Sequence, residues 1–406
     1  MGKLISSGDW LTLERLRVYS WIFIALWTVA FVALIATATG YLDVLGRPLG
    51  TDFANTWSSG LQALAGEHMA VYDLDAQRAA QHAAFATPEI STFDWHYPWL
   101  YPPTFLLIAM ALAVLPYGWA LLAWLALTVA MYWAAIRAIM ADRAHRLVSL
   151  AALAFPAVAL NIGHGQNAFF SAGLMGAGLV WLDRRPVLAG MAFGLLSYKP
   201  QFGLLIPLVL IATGRWKVFA SAAVTVVLMI AASVLAFGVE MWPAFFAHTS
   251  FTREVVLESG AMAWEQKQSL FAALRAVGGG VALAYALQAV LGVSVAVATV
   301  WLWRMRIDFA LKAAGLAVGT LLVTPYMVDY DFVILGLALA WLASLGLQQG
   351  FLPWEKSALA FAWAVPFVAR PFALLTHVPL GLIAMGVVFA LIVRRARSAH
   401  EARLHT

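Results

Sequence analysis

Several side chains able to move a proton or hold an anion stand at the ends of long apolar runs in this sequence. Asp52 opens the stretch 52–66, whose spacing is helical: Phe53, Trp57, Leu61 and Leu64 make one stripe, and Asp52, Asn55, Ser59 and Gln62 make the other. A carboxylate in the first turn of such a helix is favoured as its N-cap. Asp73 and Asp75 form an Asp-x-Asp just after Tyr72, which is either solvated or a place for a cation. The aromatic stretch 93–103, with His96 and Tyr101, suits an interfacial belt or a stacking platform for a sugar ring. The polar insert 161–167 carries His164 and Gln166 between two glycines and two asparagines, and reads as a turn or as a set of hydrogen-bonding groups. Lys199 lies between two short apolar runs, either snorkelling or awaiting an anion. Asp329, Tyr330 and Asp331 follow Thr324-Pro325 at the end of another run. Charge there is costly unless it faces water or a partner such as Arg370 or Lys199.

The elements that position these groups are membrane helices. Of 406 residues, 63% are hydrophobic and 11% charged, and the mean hydropathy is +0.84. Soluble domains carry about 45–50% apolar and about 25% charged residues, so a single water-soluble globule cannot hide this much apolar surface. A soluble enzyme, a nucleic-acid binder and a disordered regulator are thereby excluded. The net charge of +5 comes from short basic clusters between apolar runs. Those clusters orient a chain in the membrane and place both termini in the cytoplasm. There are no cysteines, hence no disulfide and no thiol nucleophile.

Apolar runs from 18–40 to 378–393 predict an all-α polytopic protein with about twelve crossings. Short or re-entrant helices are expected at 100–116 and 187–213, with the number of crossings open over 100–136; broken helices are tolerated there if protein or water covers the backbone. The chain reads as one transmembrane domain over 1–406. An interfacial N-terminus covers 1–17, outer loops cover 41–99 and 239–280, and a cytoplasmic tail covers 394–406. Amphipathic helices are expected in the first outer loop, lying flat with the polar stripe of 52–66 turned to an outer cavity. The cytoplasmic loops leave no room for a nucleotide-binding domain.

Six motifs in order then carry a resemblance: Thr-Asp-Phe-Ala-Asn-Thr-Trp (51–57), Val-Tyr-Asp (71–73), Tyr-Pro-Pro-Thr-Phe (101–105), Gly-Gln-Asn (165–167), Ala-Gly-Met-Ala-Phe-Gly-Leu-Leu-Ser-Tyr-Lys-Pro-Gln (189–201) and Thr-Pro-Tyr-Met-Val-Asp-Tyr-Asp (324–331). Together they resemble glycosyltransferase family 87. The resemblance implies a GT-C fold, an active site on the outer face and a polyprenyl-phosphate sugar as donor, often the mannose one. It implies an Asp in the first outer loop as catalytic base, and Asp52 matches. Several relatives carry a Trp-x-His-His pattern where this chain has Val328 to Asp331, so no histidine role transfers there.

On this reading a hexose, most often mannose, passes to a lipid-linked or envelope glycan by an inverting single displacement. Asp52 takes the acceptor proton, while Lys199, with His164, Gln166 and Arg370, holds the donor phosphate. Asn55, Trp57, Tyr72, Asp73, His96, Tyr101, Asp329, Tyr330 and Asp331 are the candidates for binding acceptor and sugar. No metal and no other cofactor is expected. The expected partners are the lipid-borne donor, the glycolipid acceptor and membrane lipids, with no nucleic acid and no nucleotide sugar. The expected location is a bacterial inner membrane with the site facing the periplasm. A lipid or glycolipid transporter or flippase is the alternative, and a non-catalytic envelope assembly protein a third reading.

Overall fold

The computed structural model describes residues 2–86, 95–140 and 145–404. Phe93, Asp94 and Arg143, each noted in the sequence, lie outside the described residues, as does the side chain of Arg146. Every regular element described is a helix, and pairing between extended residues is limited to three isolated bridges. The chain is thus an all-α polytopic membrane protein.

Among the described residues, six helices are long and apolar enough to cross a bilayer. They are Leu13–Ala36, Tyr117–Ile139, Trp216–Phe237, Val281–Arg304, Asp329–Gln349 and Glu355–Thr376. A seventh crossing results if Leu147–Leu153 and Pro156–His164, bent by 42° at Pro156, act as one span. That falls short of about twelve, because a full crossing needs about 20 residues. Of the remaining apolar runs, 378–393 opens the 25-residue helix Leu380–Leu404, and the others form helices of 10–17 residues: Pro103–Ala113, Ala168–Trp181, Pro186–Tyr198, Pro200–Ala212 and Phe309–Val323. Four of these short or bent pieces begin with proline in the first turn, at Pro103, Pro156, Pro186 and Pro200. Proline is at home there because the first-turn N–H has no helical partner. The segments expected to be short, 100–116 and 187–213, are accordingly short and interrupted.

Asp329–Gln349 is the central helix, with 83% of its most apolar stretch buried, against 6% for Leu13–Ala36 at the periphery. It packs on Phe309–Val323, Ala168–Trp181 and Tyr117–Ile139. The outer helices turn residues such as Val29, Val32, Leu228, Val293 and Val297 outward, where lipid takes the place of a protein core.

The first outer loop departs from the expected arrangement. The helix is there, over Thr51–Leu64, but Asn55, Ser59 and Gln62 of its polar stripe are buried together with Phe53, while Leu64 of the apolar stripe is exposed. Asn55 gives its amide N–H to the Pro98 carbonyl (3.0 Å) and accepts from Gln77 (2.9 Å) and Ser59 (3.2 Å). Gln77 and Gln81, on the helix Leu74–Phe85, also take the backbone N–H groups of Trp99 and Tyr97. Burial of these amides is tolerated because each finds a partner. On the same helix Gly60 lies against the helix Pro103–Ala113, where an added Cβ would come within 2.2 Å of the Ala109 carbonyl oxygen. The Thr51–Leu64 helix is therefore clamped into the protein rather than floating on the bilayer.

Candidate active site

The site grows from two glycines. Gly50 is the N-cap of Thr51–Leu64 and Gly165 the C-cap of Pro156–His164, and both are left-handed, with φ of 74° and 59°. A Cβ on Gly165 would stand 2.6 Å from the Phe53 Cβ and 3.3 Å from the Gly50 Cα. Only glycine permits this conformation and this approach together. Trp124 fixes the crossing by donating to the Gly165 carbonyl at 3.2 Å, and Tyr117 donates to the Leu49 carbonyl just before it.

The crossing sets the start of one helix against the end of another, and so Asp52 against His164. Asp52 is the second residue of its helix, and the cap position belongs to Gly50, so a capping role does not account for it. Its Oδ2 accepts from Gln166 Nε2 at 3.3 Å and lies 3.7 Å from His164 Nδ1. Thr51 Oγ1 is 2.7 Å from the same His164 nitrogen. Gln166 is itself oriented, its Oε1 accepting from the Asn167 N–H (2.7 Å) and the Tyr101 hydroxyl (3.3 Å). Tyr72 holds Tyr101 in turn by donating to its carbonyl at 2.9 Å. Burial pushes the Asp52 pKa above the ordinary carboxylate value. His164, Lys199 and the Gln166 hydrogen bond pull it down, while Asp329 adds to the rise. The Asp52 side chain keeps 28% of its exposure, so it is reachable from the cleft and the desolvation is partial.

Behind this pair lie two acid–base pairs on either side of Tyr330. Lys199 Nζ meets Asp331 Oδ1 at 3.0 Å, with both side chains buried. Arg370 grips Asp329 with two hydrogen bonds, of 2.7 and 3.1 Å. Tyr330 presents its ring edge to His164 (6.0 Å between centroids) and its face to Lys199 (5.5 Å). The partners suggested by sequence for the late Asp-Tyr-Asp are thus the ones found. Each cation arrives already paired, so an incoming phosphate meets Lys199 and Arg370 beside their carboxylates.

A cavity of about 260 Å³ lies between the helices Leu13–Ala36 and Pro156–His164 and reaches His164. Trp27, Phe31 and Leu34 of Leu13–Ala36 form one wall, Leu160, Gly163 and His164 the other. The walls are apolar until the histidine. The Trp27 indole N–H is buried with no hydrogen-bond partner among the described residues.

The structure thus gathers Asp52, His164, Gln166, Lys199, Tyr101, Asp329, Tyr330, Asp331 and Arg370, with Tyr72 one residue behind. Other candidates are occupied elsewhere. Asn55 is locked in the amide network, and Trp57 donates to the Leu115 carbonyl at 2.9 Å. Asp73 caps Leu74–Phe85, accepting from the N–H groups of Asp75 and Ala76. His96 lies 3.3 Å from Gln77, its pKa pulled down to about 4 by burial and by Arg78 and His82. Two residues not singled out in the sequence join the site. Thr51 contacts His164. Tyr97 feels both Thr51 and Asp52, its pKa pushed up to about 12 by burial and by the Asp52 charge. Thr51 adjoins the candidate base and Tyr97 lies in the aromatic stretch, but neither side chain carries a charge that would mark it.

The family model for glycosyltransferase family 87 matches residues 99–325, more than half of the chain. The match takes in Tyr101, His164, Gln166 and Lys199, while Asp52, the Asp329–Asp331 turn and Arg370 lie outside it. Comparison with curated proteins and with solved structures finds no match. With a membrane-helical fold and a family match over more than half of its length, the chain belongs to glycosyltransferase family 87.

Proposed function

We propose that the protein moves a hexose, mannose first among the candidates, from a polyprenyl-phosphate sugar to a lipid-linked or envelope glycan, with Asp52 as the base. One observation carries this reading: a mostly apolar cavity between two helices has His164 in its lining, and His164 stands 3.7 Å from Asp52. That arrangement suits a ligand with a long hydrocarbon chain and a polar, reacting head. A nucleotide sugar has no such tail, whereas an isoprenoid-borne sugar does.

In the proposed reaction the acceptor hydroxyl gives its proton to Asp52 as its oxygen attacks the anomeric carbon. The bond from that carbon to the phosphate oxygen breaks on the opposite face, which inverts the centre. The departing phosphate gains negative charge and needs fixed donors. Lys199 has N–H groups beyond the one given to Asp331, and we assign it that role with His164 and Gln166. The Trp27 indole N–H is placed to assist from the cavity wall, with Arg370 further back. Tyr101, Tyr330, Asp329 and Asp331 we assign to sugar and acceptor. The chemistry needs no metal, because these cations and dipoles supply the charge.

Basic residues fit the proposed orientation. Arg15, Arg137, Arg215 and Arg304 mark the helix ends opposite to Asp52, His164 and Lys199, which supports a site on the outer face of a bacterial inner membrane. The same alternation asks the shorter apolar helices to traverse the bundle as well, which would restore about twelve crossings. Purified protein given a panel of polyprenyl-phosphate sugars and membrane lipid should release polyprenyl phosphate with one of them. Lipid movement without release would favour a transporter.

A further inference from the structure

Outside this site, on the loop between the helices Trp216–Phe237 and Val281–Arg304, a second lysine is buried. Lys267 is 1% exposed, and no carboxylate oxygen of the described residues lies within 4.0 Å of it. Its Nζ donates to the Val256 carbonyl at 2.6 Å and sits 4.1 Å from the centre of the Trp264 ring. The Arg275 guanidinium stands 5.6 Å from the same ring. It is spent on the carbonyls of Gly279 and Glu258, and its Nε is buried without a partner. Two cations therefore share one indole, with Glu265 the acidic residue nearby. Elsewhere in the described protein buried cations are neutralised: Lys199 by Asp331 and Arg395 by Glu355.

Lys267 lines a cavity of about 80 Å³ together with Trp264, Glu265, Ala276, Leu374 and His377. The volume is that of a small oxyanion. Leu374 in its lining is 61% exposed, and the next residue, Leu375, is 82% exposed. We propose that this cavity binds a phosphate group through Lys267, with these exposed leucines receiving the chains of the lipid that carries it. The site is independent of the proposed transfer reaction. It would brace the segment 267–269, which pairs with the turn holding Asp329 and Asp331 through Lys267–Val328, Gln268–Met327 and Ser269–Pro325.

The test is lipid retention by the full-length protein, read by native mass spectrometry after reconstitution in phosphatidylcholine nanodiscs doped with phosphatidylglycerol. The wild type and Lys267→Arg should keep one phosphatidylglycerol. Lys267→Gln should lose it by about tenfold, the effect of one charge-assisted contact. Ala276→Leu, which fills the cavity and leaves the lysine in place, should lose it too, and serves if Lys267→Gln does not fold. Displacement by millimolar inorganic phosphate would identify a free phosphate as the ligand, while its failure to displace would assign the site to lipid. Equal retention in wild type, Lys267→Gln and Ala276→Leu would overturn the proposal.

Discussion

A carboxylate in the first turn of a helix gains from the positive end of the helix dipole. Asp52 has that advantage and still carries a raised pKa, because burial outweighs it and the pull of His164, Lys199 and Gln166. A raised folded-state pKa makes the ionised form the costly one, so the associated stability is present at low pH and is lost as pH rises through that pKa. Ionisation of Asp52 therefore works against stability. Asp52→Asn should leave the thermal midpoint unchanged or raise it, while transfer falls by roughly 10²–10⁴-fold, the range for loss of a general base. A thermal melt beside a transfer assay separates the two effects. The base must also be ionised to act. The acid limb of the pH–rate profile should accordingly lie above the ordinary carboxylate range, and the residual activity of Asp52→Asn should lack it.

Lys199 and Asp331 predict differently. Both are buried, and removing one partner strands the other charge, at a cost of about 3–5 kcal/mol. Lys199→Met and Asp331→Leu should each lower stability strongly, and the double variant should recover much of the loss. If the double loss equals the sum of the singles, the pair is not coupled. A merely structural Lys199 would also leave donor dependence untouched in any folded variant, whereas a phosphate ligand would raise the KM for the donor.

Among the elements, the crossing of Thr51–Leu64 over Pro156–His164 is the joint on which the site depends. Gly165→Ala puts a Cβ into Phe53 and forces a left-handed alanine. Overpacking of this kind costs about 1–3 kcal/mol. We expect a lowered thermal midpoint together with loss of transfer, because His164 and Asp52 move apart. The helix itself was readable from its periodicity to within two residues at either end. Which face is buried was not. Periodicity separates an apolar stripe from a polar one, but in a membrane protein both have somewhere to go, and buried amides alone decided the matter here through Asn55, Gln77 and Gln81. For that reason Asn55 and His96, which looked like open hydrogen-bonding groups, are spent within the loop. His164, Gln166 and Lys199 were legible because polar residues between apolar runs stand out. Thr51 and Tyr97 were not, since their part in the site comes from the fold of the loop.

Across the whole molecule, composition was enough to read a polytopic helical membrane protein. The number of crossings was not, because the same apolar run serves as a full span, a half-length helix or one arm of a bent pair such as that broken at Pro156. Orientation is open to direct measurement in a chain without cysteines. Glu67 lies in an exposed turn after Thr51–Leu64, unlike the buried Asn55. Glu67→Cys should react with a membrane-impermeant maleimide in intact spheroplasts, and labelling only after lysis would place the candidate site on the cytoplasmic side.

The central claim is that Asp52 serves transfer from a lipid-borne sugar. Its most direct test is the release of free polyprenyl phosphate by purified protein and by Asp52→Asn, each given polyprenyl-phosphate sugars and total membrane lipid. The account predicts release with one sugar by the wild type and none by the variant. Release that continues undiminished in a folded Asp52→Asn protein would contradict it.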